Sequence, residues 1–195
     1  SDAAISASGR FVVFASDATN LVAGDTNGFR DIFLKDLQTG GTTLVSRTGG
    51  ALGDSSSANA VLSADGRIVA FDSNATNLVG GDTNATADIF VRNFGSGQLL
   101  RVSTDAAGSQ SNGSSRNASI SANGRYVSFE SDASNLVAGD ANGITDVFMK
   151  DLATGAVTLA SVTAAGTQGN SFSGNSAVSN DGRYVSFYSN ANNLA

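Results

Sequence analysis

Ser63-Ala64-Asp65-Gly66-Arg67-Ile68-Val69-Ala70-Phe71 is one of four copies of a single phrase. The others are Ser6-Ala7-Ser8-Gly9-Arg10-Phe11-Val12-Val13-Phe14, Ser121-Ala122-Asn123-Gly124-Arg125-Tyr126-Val127-Ser128-Phe129 and Ser179-Asn180-Asp181-Gly182-Arg183-Tyr184-Val185-Ser186-Phe187. The copies are 57, 58 and 58 residues apart. A fixed period of this size marks stacked supersecondary units, each of which buries its apolar face against a neighbour.

Within each unit the apolar residues fall in short runs bounded by Gly, Asn and Asp, and no stretch holds a helical period over the length of an ordinary helix. The first run, strand A, is Ala3–Ser6, Ala60–Ser63, Ala118–Ser121 and Ala177–Ser179. Asp65-Gly66, Asn123-Gly124 and Asp181-Gly182, with Ser8-Gly9 as a weaker copy, predict a two-residue type I′ turn. Strand B follows over 10–16, 67–73, 125–131 and 183–189, rich in Phe, Val, Ile and Tyr. After a long polar loop, strand C is Asp31–Leu37, Asp88–Phe94 and Asp146–Leu152, and strand D covers 42–46, 98–103 and 156–161. Four antiparallel strands per unit make a propeller blade. The expectation is an all-β chain of three full blades (1–57, 58–115 and 116–173) and a terminal A–B hairpin over 174–195, fourteen strands in all. Closed propellers use about four to eight blades. The exposed blade edges are therefore expected to be covered by a protein partner, by further copies or subunits, or by residues outside this chain.

Composition narrows the function classes. The net charge is -6 with eleven scattered Lys and Arg, which argues against a nucleic-acid partner. No apolar run is long enough for a transmembrane helix. Glu130 is the single glutamate, and Lys35 and Lys150 are the two lysines, so the charged helix formers are nearly missing. Cys, His, Trp and Pro are absent. A cysteine-free, lysine-poor chain rich in Asp, Asn, Ser and Thr fits the outside or periplasm of a bacterium. With Ser first and no charged-plus-apolar leader, the expectation is a processed chain or an excised piece. Asn-x-Ser/Thr triplets at Asn74, Asn84, Asn112 and Asn117 are read as chance in so Asn-rich a chain.

The run Ser-x-Asp-Gly-Arg-Tyr-Val-x-Phe, followed by Asp-Ile-Phe-x-x-Asp-Leu-x-Thr-Gly, resembles the WD-like repeats of TolB-type bacterial β-propellers over essentially the whole chain. Asn20-Leu21-Val22-Ala23-Gly24-Asp25-Thr26-Asn27-Gly28 is similar to a long-loop branch found in large secreted or surface-attached bacterial proteins. The resemblance implies protein-binding, envelope or assembly roles. The same blade also accompanies peptidase domains, so fold alone selects no function.

The richest chemistry lies in the B–C loops, where Asp25, Asn27 and Asp31 recur as Asp82, Asn84 and Asp88 and as Asp140, Asn142 and Asp146. Oxygen donors at loop positions 1, 3 and 7 suit a hard cation such as Ca2+. The alternative is structural: Asp and Asn side chains close Asx-turns and cap the loop onto strand C. The loops lack the length and bidentate Glu of an EF-hand, and Ala85 stands where the sister loops carry Gly.

Arg10, Arg67, Arg125 and Arg183 recur after each turn, either as a guanidinium row for an anionic ligand or as partners of nearby Asp groups and carbonyls. The Leu-Val of each Asn-Leu-Val triplet is expected to pin the loop by burial between blades. No His or Cys is present to act as base or nucleophile, and Glu130 alone departs from the repeat as a candidate acid. The expectation is a noncatalytic scaffold for binding or assembly, with no catalytic residues and no cofactor other than Ca2+. The alternatives are a carbohydrate-binding propeller, which lacks Trp platforms here, and an accessory or gating domain of a secreted hydrolase.

Overall fold

The computed structural model describes residues 3–194, so residues 1, 2 and 195 of the expected first and last units lie outside the described residues. The described chain has no helix. Its first sheet runs β1 (Ala3–Ile5), β2 (Phe11–Ser16), β3 (Asp31–Asp36), β4 (Thr42–Leu44). A small hairpin, β5 (Arg47–Thr48) and β6 (Ala51–Leu52), follows. The second sheet is β7 (Ser57–Leu62), β8 (Ile68–Ser73), β9 (Asp88–Asn93), β10 (Leu99–Arg101), and the third is β11 (Ser115–Ile120), β12 (Tyr126–Ser131), β13 (Asp146–Asp151), β14 (Val157–Leu159). The chain closes with the pair β15 (Ser173–Val178) and β16 (Val185–Ser189). All pairings are antiparallel between sequence neighbours, so these are propeller blades, three of four strands and one of two.

Three features differ from the sequence expectation. The β5–β6 hairpin turns on Gly49 and Gly50, both with positive φ, inside a stretch read as connection. The innermost strands begin earlier, at Ser57, Ser115 and Ser173, and carry a β-bulge each. At the bulges Asn59, Asn117 and Asn175 sit at φ of 50, 55 and 50°, a conformation that Asn tolerates better than most residues. The A–B turns are also not type I′. Only Gly66 of the Asp65-Gly66 pair has positive φ, and Gly66 N donates to Ser63 O at 2.9 Å. The turn therefore runs over four residues, with Ser at its start and Gly at its end, as a type I turn prefers. Asp65 closes it by accepting from Ser63 Oγ (2.6 Å) and Arg67 N (3.0 Å), and Asn123 and Asp181 repeat this.

Blades pack face to face. Val13, Ile32, Leu34 and Val45 of the first meet Val69, Phe71, Phe90, Ala75 and Leu78 of the second in one core. Ala70, Ile89, Val91 and Val102 of the second meet Val127, Phe129, Phe148, Ala133 and Leu136 of the third in the next. The Phe71–Phe90 and Phe129–Phe148 rings stack across neighbouring strands at 5.8 and 5.9 Å. Backbone bonds step from blade to blade, Ala7 N to Ala64 O, Ala64 N to Ala122 O and Ala122 N to Asn180 O. Whereas Leu21 of the first long loop is exposed, the buried Leu78 and Leu136 anchor the other two as expected, each worth about 2 kcal/mol. Their partner Asn does more: Asn77 Nδ2 donates to Leu52 O at 2.8 Å, while Asn77 Oδ1 accepts from Asp54 N at 3.1 Å. Asn135 and Asn193 repeat that clasp.

The turn glycines serve the same seam. A Cβ at Gly66 would lie 2.4 Å from the Phe11 ring, at Gly124 2.5 Å from Ile68 Cδ1, and at Gly182 2.0 Å from the Tyr126 ring. The residue that opens strand B in one blade rests on the turn glycine of the next. Gly9 has the same φ of +73° as Gly66, but its Cβ position meets nothing within 4 Å among the described residues. The pair separates backbone strain from packing. Gly9→Ala should cost about 1 kcal/mol in urea melts, from the left-handed φ alone. Gly66→Ala should cost about 1 to 3 kcal/mol more through overpacking against Phe11. Equal losses would show that the seam does not depend on these glycines.

Candidate functional site

The B–C loops fold as three related polar networks in which the carboxylate opening strand C is the hub. Asp31, Asp88 and Asp146 are fully buried, and each Oδ1 accepts at 2.5 Å from the serine two residues beyond β4, β10 or β14: Ser46, Ser103 and Ser161. Those serines in turn accept from the backbone N–H of Ile32, Ile89 and Val147. The Asn of each loop is oriented by its own turn, since Asn27, Asn84 and Asn142 Oδ1 accept from Phe29, Thr86 and Ile144 N. Their amide nitrogens therefore face inward, to Gly53 O, Ser111 O and Gly169 O, and Asn27 and Asn142 also reach Asp31 and Asp146 at 2.8 Å. The structure brings the nine expected residues into three clusters, with Asn donating to Asp in two of them. Among the described residues no group of three or more Asp, Glu, His or Cys side chains is gathered as a metal cage.

A residue outside the loop completes two of the clusters. Gln110 Nε2 donates to Asp82 Oδ1 (2.8 Å) and Asp88 Oδ2 (3.0 Å), and Gln168 Nε2 donates to Asp140 Oδ1 (2.6 Å) and Asp146 Oδ2 (2.8 Å). One amide thus bridges two carboxylates. The second blade adds Arg101, whose Nη1 lies 3.5 Å from Asp82 Oδ1 and 3.9 Å from Asp88 Oδ2. Burial pushes the Asp82 and Asp140 carboxyls above the usual carboxylate range against the Gln hydrogen bonds, and the paired Asp88 and Asp146 add to the rise. In the first blade the same register position holds Leu52, the residue that accepts from Asn77 just as Gln110 accepts from Asn135. Burial also raises the Asp31 carboxyl, opposed by Ser46 and Asn27 and assisted by the charge of Asp25.

The recurring arginines do not form a free row. Arg10 grips Asp36 with Nε and Nη2 at 2.9 and 2.7 Å, and Arg125 grips Asp151 at 2.8 and 2.7 Å. These forked bonds hold both carboxyls well below the usual range. The second blade has Asn93 at the corresponding place, and Arg67 is left with a long 3.9 Å contact to Asp65. Arg183 lies over the Tyr184 ring at 5.5 Å.

Glu130, the candidate acid, is 3% exposed and works as a rivet between blades. Its Oε1 accepts from Asn117 Nδ2 (3.1 Å) and from Asn175 N (2.6 Å), and Arg116 Nε stands 3.9 Å from Oε2. Gly174 leaves room for it, because a Cβ there would lie 2.9 Å from the Glu130 carboxyl carbon. The innermost strands converge on a shallow groove lined by the bulge residues Asn59, Asn117 and Asn175 with Ala4, Ala60 and Ala118.

No protein-family model and no curated protein matches the chain. Solved structures do. TolB from Acinetobacter baumannii aligns over 96% of this chain and 37% of its own, with a TM-score of 0.56 and 20% identity. An oligogalacturonate lyase from Vibrio parahaemolyticus aligns over 97% of this chain and 45% of its own (TM-score 0.56, 14% identity). Porphyromonas gingivalis dipeptidyl peptidase 4 aligns over 97% and 29% (TM-score 0.55, 13% identity). The chain spans less than half the length of each of these three proteins. At these identities the likeness is one of fold, and the fold is that of TolB-type propellers, shared by proteins with different chemistry.

Two substitutions test the scaffold reading of these groups. Ala85 holds φ of 55° where Gly28 and Gly143 sit at 71 and 66°, so Ala85→Gly should stabilise the chain by about 0.5 to 1 kcal/mol in urea melts. Loss of stability would show that Ala85 makes contacts worth more than its strain. Glu130→Ala should cost about 1 to 3 kcal/mol by stripping two donors of their acceptor. An unchanged melt would remove Glu130 from the interblade seam.

Proposed function

We propose that this chain is a noncatalytic propeller scaffold for protein assembly, working in the bacterial envelope or outside the cell, and that its open blade faces receive further copies of the same blade. The observation that carries this reading is the fate of one sheet face along the chain. In the third blade Ser128 and Glu130 are buried and Tyr126 rests on Gly182. The same positions in the last hairpin, Tyr184, Ser186 and Tyr188, are exposed, with Tyr184 at 65% and Tyr188 at 57%. At the opposite end Gly9 has an open Cβ position, Leu21 is exposed where Leu78 and Leu136 are buried, and Ile5 is exposed on β1.

The two ends are complementary halves of a contact already made three times within the chain. Tyr184 has the shape and position of Tyr126, and Gly9 those of Gly182. Such a head-to-tail contact is heterologous, and it ends in a ring if the rotation per unit closes and in an open array if it does not. A further blade of this repeat, which a second copy of the chain can supply, is therefore what these surfaces fit. The envelope placement is supported by the lysine-poor, cysteine-free composition and by the TolB-type resemblance. The scaffold role is supported by the carboxylates, since Glu130, Asp31, Asp88 and Asp146 all accept hydrogen bonds from neighbouring groups of the scaffold.

Sedimentation velocity over a wide concentration range tests the assembly reading. The unaltered chain should shift to larger species as concentration rises. Tyr184→Asp combined with Tyr188→Asp should hold it monomeric, with a urea melt little changed because both side chains are exposed in the single chain. A monomer at every concentration, or a variant that associates equally well, would sink the proposal.

A further inference from the structure

The three B–C loops share carboxylates but not the group that joins them. In the second and third blades a neutral amide, Gln110 or Gln168 Nε2, donates one hydrogen to each of two carboxylates. In the first blade Leu52 takes that place and offers no donor, and Leu44 stands where the second blade carries Arg101. Asp25, the counterpart of Asp82 and Asp140, is 5% exposed, and its Oδ1 has no hydrogen-bond partner among the described residues. That is the atom which in both sister loops takes the Gln amide. Asp31 beside it is fully buried, with Ser46 on Oδ1 and Asn27 on Oδ2.

A buried carboxylate oxygen without a donor costs about 1 to 3 kcal/mol or more if nothing meets it. Two anionic groups held together in that condition call for a positive charge between them. We infer that the first blade's loop holds one hard divalent cation of calcium type between the Asp25 and Asp31 carboxylates, whereas the other two loops are closed by the amides of Gln110 and Gln168. Calcium suits the site because all its candidate ligands are oxygens, the geometry is irregular, and the neighbouring loop surface admits waters to fill the shell. With two carboxylates the affinity belongs to the weak class of extracellular modules, a Kd on the order of 0.1 to 1 mM. The cation here is structural and stiffens the loop of the first blade, and this inference stands independently of self-association.

The experiment is a calorimetric titration with calcium chloride after EDTA treatment and dialysis, on the unaltered chain, on Leu52→Gln and on Gln168→Leu. The unaltered chain should bind one equivalent, Leu52→Gln none, and Gln168→Leu two, because the first change supplies the bridging amide and the second removes one. In parallel, about 10 mM calcium should raise the Tm of the unaltered chain by roughly 3 to 10 °C. It should leave Leu52→Gln unmoved, and that variant should melt higher than the unaltered chain in EDTA. If Gln168→Leu does not fold, Leu52→Gln alone still decides the question. The inference is overturned by absence of binding to the unaltered chain, or by undiminished binding to Leu52→Gln. It is also overturned if calcium has no effect while acidification stabilises the unaltered chain and not Leu52→Gln, since a shared proton would then occupy the place of the cation.

Discussion

Burial of one blade face on the next is the interaction from which the rest of this molecule follows. A single four-stranded sheet of small side chains cannot bury enough apolar area to be stable alone. Here the second sheet contributes one half to each of two successive cores, and the seam between blades is set by close contact: a bulky residue opening strand B lies over a turn glycine with no Cβ. Several polar groups are arranged around that seam. The Asn clasp at positions 77, 135 and 193, the backbone bonds from Ala7 through Ala122, and the Glu130 rivet all join one blade to its neighbour. Apolar burial supplies the energy and the polar bonds fix the register.

Much of this was legible in the sequence, for identifiable reasons. The period, the strand order and the B and C strands were visible because Phe, Val, Ile and Tyr occur in short runs between Gly-bearing turns. That the recurring arginines pair with nearby Asp groups or carbonyls is one of two readings the recurrence leaves open; which Asp each meets, Asp36 for Arg10 and Asp151 for Arg125, only the fold decides. The turn type is not legible, because Asp-Gly is compatible with two turns and the choice rests on whether Ser63 Oγ and Asp65 Oδ1 close a four-residue loop. The β5–β6 hairpin leaves no mark in the sequence, because strands of two residues carry no periodicity.

The polar clusters were only half legible. Asp25, Asn27 and Asp31 stand close together in sequence, so their recurrence announces itself. Gln110 lies 28 residues from Asp82 and Gln168 lies 28 from Asp140, each in a connecting segment after strand D. Nothing local marks either as the bridge. The substitution of Leu52 becomes informative only once Asn77, Asn135 and Asn193 show which residues share a position. Local spacing identifies who could take part in a network; the fold decides which side-chain atom faces which.

The bulges at Asn59, Asn117 and Asn175 carry one more consequence. Every blade has an inner border strand facing the groove, and a straight border of that kind is a template for cross-β growth. The left-handed Asn breaks the ladder near the start of β7, β11 and β15, between Ala58 and Val61 in the second blade and at the matching places beyond it. A strand kinked there cannot zip along its length with a foreign strand. On the outer border β4, β10 and β14 are only three residues long. Sheet borders are thus poor adhesives in this protein, and the contact its fold does use between units is face on face, as between its own blades.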